Sequence, residues 1–198
     1  MEKQRKKSSS RGAIAAGVFI ALYLVTYIII GVISMPVPIL FLLMPMLVAL
    51  FAAPTYHMLI VKSPNWISIM IAAVLPSLIL IASGHIPIAP LIAIPAGVLA
   101  VIFARVGGYK SFKWNSVSHM FFSLNLFGGF VPIWFMRDYF FSDIVTRGMT
   151  QSFADTVYAL TPWWVLPVMM MATMLCSAFG SLFTKKVLHK HLSKAGVL

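Results

Sequence analysis

Few side chains in this sequence can do chemistry, and those that can are concentrated in one stretch. Ser116, His119 and Ser123 stand at i−3, i and i+4, so on a helix all three share a face. An imidazole between two hydroxyls is the start of a nucleophile and general-base set, as an intramembrane lipid-modifying enzyme would need. The set has no carboxylate partner, and serines on membrane helices commonly bond to their own backbone. Further along, Asn125 offers two donors and an acceptor, either to a ligand or to a neighbouring helix. Gly128 and Gly129 remove side-chain bulk beside it. Trp134, Arg137, Trp163 and Trp164 combine rings with a planar cation. Arg137 can meet a carboxylate or phosphate through its fork, or pair with Asp138 or a lipid headgroup. The tryptophans can stack on a flat ligand or anchor helix ends at the membrane interface.

Metal chemistry finds little support. No two of His57, His85 and His119 have ligand spacing such as i, i+4, so no preformed metal site and no resident cofactor are expected. His85 is kept as a ligand-contacting candidate, including as an axial ligand to a haem-type substrate. The thirteen methionines read as adaptable apolar filler. The lone Cys176 excludes an intrachain disulfide.

The elements that must position these residues follow from composition. The chain has 198 residues, 61% hydrophobic and only 10% charged, against about 25% charged in a typical soluble domain. Its natural solvent is therefore lipid. Six apolar stretches, at 13–34, 39–53, 66–83, 88–104, 117–136 and 163–183, predict an all-α membrane protein, a bundle of about six transmembrane helices. Residues 1–12 and 185–198 are basic tails flanking a transmembrane domain over 13–184. Residues 54–65 are expected to form a turn. The connection at 137–162 is the only long polar one, and Val145, Met149, Phe153, Val157 and Leu160 recur within it at helical spacing. That pattern predicts an amphipathic helix, lying on the membrane surface or closing over a site.

The net charge of +11 would suggest nucleic acid in a soluble protein. Here the basic residues sit at the ends and in short loops. With both tails inside and six crossings, thirteen Lys and Arg face the cytoplasm and two, Arg137 and Arg147, face outward. The positive-inside rule therefore orients both termini to the cytoplasm of a plasma membrane and removes nucleic acid as a partner. The central portions of the stretches hold no Asp, Glu, Lys or Arg, which argues against an ion-coupled transporter or a voltage sensor. No phosphate-binding glycine loop is present, so the chain does not itself hydrolyse ATP.

Ala13, Gly17 and Ala21 form a small-residue stripe at i, i+4, i+8 on the first helix, suited either to close approach of a partner helix or to packing within the bundle. With this stripe, six short spans and two basic inner tails, the chain resembles the S component of an energy-coupling factor (ECF) transporter. In particular it resembles the Trep_Strep group of integral membrane proteins, which are regarded as S components. That family carries an AxxxA pattern on its first helix, and Gly17 departs from it while preserving close approach. The resemblance implies a non-enzymatic, substrate-binding subunit of a micronutrient importer. The stripe would dock on a T component, two ATPase subunits would supply the energy, and the captured molecule would be a vitamin or other micronutrient. Asn125, Trp134, Arg137, Trp163, Trp164 and His85 are then the substrate-binding candidates, and an Arg among aromatics favours a flat, anionic heterocycle or a tetrapyrrole. The alternatives are the lipid-modifying enzyme above and a regulatory or assembly membrane subunit with no small-molecule ligand.

Overall fold

A computed structural model describes the backbone of residues 2–192 and the side chains of residues 12–186. The side chains of the basic tails at 1–11 and 187–198 lie outside the described residues. Among the described residues every regular element is helical. Three helices are long and apolar enough to cross a membrane alone. These are α1 (Glu2–Ser34) through its portion Gly12–Ser34, α5 (Ala89–Val106), and α10 (Val165–Leu192) through Val165–Lys186. A fourth span is made if α2 (Pro38–Phe51) and α3 (Ala53–Lys62), which meet at a 41° bend, count as one. α4 (Trp66–Ala82) is apolar but only 17 residues long. The protein is an all-α integral membrane protein, and its helix count is compatible with the six stretches in the sequence.

Large apolar side chains face outward around the bundle, among them Ile14, Val18, Leu22, Leu91, Phe179 and Phe183. A soluble monomer rarely exposes so continuous an apolar surface; here lipid covers it.

Three local expectations are corrected. Residues 54–65 are not a turn, because α3 runs through Lys62. Pro54 falls in the first turn of α3, where the missing N–H has no partner to lose. Ala52 N donates to Val48 O and Tyr56 N to Ala52 O, so helical bonds close on both sides of the bend. The chain turns only afterwards, where Asn65 caps α4 by accepting from Ser68 N at 2.9 Å.

The stretch at 117–136 is not one helix. α6 (Phe112–Phe122) passes into a 3-10 segment at Ser123–Gly129, and a single turn, α7 (Pro132–Phe135), follows. The glycines explain the break. A Cβ on Gly128 would stand 2.7 Å from Ala89 O, so only glycine lets this segment lie against the start of α5. The amphipathic pattern at 145–160 is likewise divided, into α8 (Arg137–Thr146) and α9 (Gln151–Leu160). Gly148, at φ +99°, makes the reversal between them.

Two polar seams fix the helices. Tyr23 of α1 donates to Asn125 Oδ1 at 3.3 Å, and Asn125 Nδ2 donates to Phe122 O at 2.6 Å, tying α1 to the break after α6. Beyond Phe122 and Tyr56, His57 Nε2 meets Ser181 Oγ at 2.9 Å and His119 Nδ1 meets Ser177 Oγ at 2.6 Å. These contacts join α3 and α6 to successive turns of α10. Gly180 lies between the two serines, with its α-carbon pressed on the α2–α3 bend.

Candidate functional site

A cavity of about 420 Å³ opens at the end of the bundle where α1 finishes and α5 begins. That is within the range of small-molecule sites, roughly 300–1,000 Å³. α1 contributes Tyr27, Gly31 and Val32, and α2 contributes Phe41 and Met44. Leu80, His85 and Ala89 come from the α4–α5 hairpin, and Leu126, Gly128 and Phe130 from the broken helix. Gly128 and Gly129 carry no side chain, so the 3-10 segment presents backbone to the cavity wall there.

α8 and the turn after it close the remaining side with Tyr139, Phe140, Asp143, Ile144, Arg147 and Met149, and α9 adds Phe153. Phe41 packs against both Phe130 and Phe153, with ring centroids 5.0 and 5.8 Å away. Arg147 straps this cover in place. Its Nε donates to Asp143 Oδ2 at 2.6 Å and its Nη1 to Ser83 O at 3.0 Å. Its Nη2 donates to Gly84 O at 2.5 Å. The hydrogen bond it donates to Asp143 holds this guanidinium above its ordinary pKa.

Of the six substrate-binding candidates, the structure brings only His85 to the cavity. Asn125 spends its side chain on Tyr23 and Phe122. Trp134 is buried, and its Nε1 donates to Pro162 O at 3.0 Å. Arg137 donates to Thr161 O at 2.8 Å and to Tyr158 O at 2.6 Å, with its guanidinium 3.8 Å from the centre of the Tyr158 ring. It clasps the start of α8 to the end of α9. The pairing with Asp138 considered from sequence is not formed, since the ion pair of this region joins Arg147 to Asp143. Trp163 and Trp164 are 61% and 66% exposed, at the start of α10, where rings anchor a helix end at the interface. The sequence argument for an anionic ligand rested on Arg137, which stands away from the cavity.

Ser116, His119 and Ser123 do not form one cluster. Ser116 bonds to Phe112 O and Ser123 to Met120 O, while His119 turns to α10. No group of three or more metal-binding side chains gathers among the described residues. Ala13, Gly17 and Ala21 are exposed, and a Cβ on Gly17 would meet nothing within 4 Å. Packing within the bundle goes instead through Ala16, Ile20 and Tyr23, on the adjoining face.

Sequence reasoning missed Tyr27, Gly31, Asp143 and Arg147. A signal for the first two was present: Tyr23, Tyr27 and Gly31 repeat at i, i+4, i+8 and line one edge of α1. The i, i+4 spacing of Asp143 and Arg147 also marks a helical ion pair. Nothing local shows that the arginine reaches back some sixty residues to the α4–α5 turn.

Comparison with known proteins adds one finding. A family model described as "Hypothetical bacterial integral membrane protein (Trep_Strep)" matches residues 10–194. No curated protein matches the chain, and no solved structure does.

Proposed function

Since the chain belongs to the Trep_Strep family of hypothetical bacterial integral membrane proteins, we propose that it is the substrate-binding subunit of an ECF-type importer. It captures a small, largely apolar micronutrient in the cavity beneath α8, and partner ATPase and T-component subunits supply the energy. The observation that carries this reading is the cavity itself: an apolar chamber with a few placed polar groups, roofed by a strapped helix. The Ala13–Gly17–Ala21 stripe supports it further, because among the described residues it is exposed and a Cβ on Gly17 would meet nothing within 4 Å. An intramembrane enzyme has less to build on, as the hydroxyls flanking His119 on its own helix are committed to backbone carbonyls.

In this reading the protein sits in the plasma membrane with both basic ends in the cytoplasm, and the cavity faces outward. Single cysteines introduced at Ser142 and Thr156, with Cys176 replaced by Ala, should react with an impermeant maleimide added to whole cells. One introduced at Lys110 should react only after lysis. Labelling of Lys110→Cys in intact cells would reverse the orientation.

Gly17→Leu tests the partner. A branched side chain there should prevent close helix approach and strongly reduce co-purification with the T component and the ATPases. Folding should survive, because the site is open. Wild-type complex yield and uptake in this variant would remove the docking role.

A further inference from the structure

Resting on the reading of the cavity as a ligand site, we infer that it selects a largely apolar molecule whose polar end donates hydrogen bonds, and that His85 and Asp143 are the selecting groups. The argument begins with what is already spent. All three nitrogens of Arg147 are engaged, with Asp143 Oδ2 and with the carbonyls of Ser83 and Gly84. Asp143 balances its charge, so the pair offers an entering anion no net attraction. Arg137 lies outside the cavity, at the α8–α9 clasp.

What remains accepts hydrogen bonds. His85 Nδ1 lies 3.2 Å from Leu80 O. A carbonyl can only accept, so Nδ1 carries the proton, and in the neutral imidazole Nε2 presents a lone pair. Asp143 has committed Oδ2 to Arg147, and its Oδ1 has no partner among the described residues. The Tyr27 and Tyr139 hydroxyls can serve in either sense, and most of the remaining wall is apolar. An alcohol, amide N–H or amine meets partners here. A carboxylate meets two acceptors and finds donors only in the two tyrosine hydroxyls, so it sheds most of its water without replacement, which is costly.

The test uses the full chain in lipid nanodiscs and three fluorescent probes sharing one flat apolar body: anthracenemethanol, aminomethylanthracene and anthracenecarboxylate. Partition into empty nanodiscs is subtracted. The alcohol and the amine should bind saturably, about tenfold or more tighter than the carboxylate, since one charge-assisted or unsatisfied polar contact is worth that much. His85→Phe should weaken the alcohol and the amine and leave the carboxylate unchanged. Asp143→Asn should do the reverse: with its counter-ion gone, Arg147 becomes free to meet an anion, and carboxylate affinity should rise. Equal or tighter binding of the carboxylate by the wild-type protein would overturn the selectivity while leaving the cavity a binding site. Failure of all three probes to bind a folded protein would instead remove the cavity as a small-molecule site, and the importer reading with it.

Discussion

Gly180→Ala should destabilise the protein by roughly 2–3 kcal/mol, the upper part of the range for overpacking a filled core, and more if the backbone cannot yield. An added Cβ would stand 2.5 Å from Leu50 O and 2.9 Å from Ala53 Cβ. Neither contact is the end of a flexible side chain. Both belong to the α2–α3 bend, so relief requires moving α10 off that bend and stretching the His57–Ser181 and His119–Ser177 contacts on either side. Thermal unfolding in detergent, followed by the near-ultraviolet signal of the tryptophans, should show a midpoint lower by about 4–10 °C. Gly17→Ala is the control. Its Cβ meets nothing, and alanine favours a helix over glycine by about 0.5–1 kcal/mol, so its midpoint should hold or rise slightly. Coincident midpoints for the two variants would mean that α10 is not clamped at the bend.

Arg137→Ala should loosen the cover over the cavity. Two charge-assisted bonds to the carbonyls of Tyr158 and Thr161 disappear, together with the stacking on Tyr158. Hydrogen bonds to charged groups contribute about 1.5–3 kcal/mol each, and here a single side chain makes both. The loss should fall on the α8–α9 pair rather than on the bundle. Limited proteolysis should cut within 137–162 at least about tenfold faster than in the wild type, if local opening governs cleavage. Lysine should not rescue, because an ammonium cannot lie flat on the ring while serving two carbonyls. Unchanged protection of the segment in Arg137→Ala would return this residue to a headgroup role.

The two arginines of this connection show what sequence can and cannot convey. That lipid surrounds the chain is written in composition, because no arrangement of 61% hydrophobic residues covers itself in water. The long helices follow from apolar length. The cavity does not, because it depends on departures from regular helix. Gly128 and Gly129 looked like space for a ligand, and they do line the cavity. The tight contact of Gly128 with Ala89 breaks the helix and swings Asn125 toward Tyr23 instead. Arg137 and Arg147 are equivalent as residue types, each in a polar connection near aromatics. Which one lies over the cavity is decided by how α8 crosses the bundle, with Arg147 at the end that meets the α4–α5 turn, and no local pattern reports that placement. His85, a ligand-contacting candidate in the sequence, does line the cavity, because the α4–α5 turn carries it there.

The seam of α3, α6 and α10 has a consequence for the electrical setting of the protein. The side chains buried with polar atoms among the described residues are Ser, Thr, Asn, His, Tyr and Trp, with no Asp, Glu, Lys or Arg. Displacing one elementary charge through a membrane potential of 100 mV costs or releases about 2.3 kcal/mol. A bundle held together by hydroxyls, amides and imidazoles carries no permanent charge in its core. It can tilt or shift within the bilayer without that work, and the cell's voltage neither drives such a motion through the core nor opposes it.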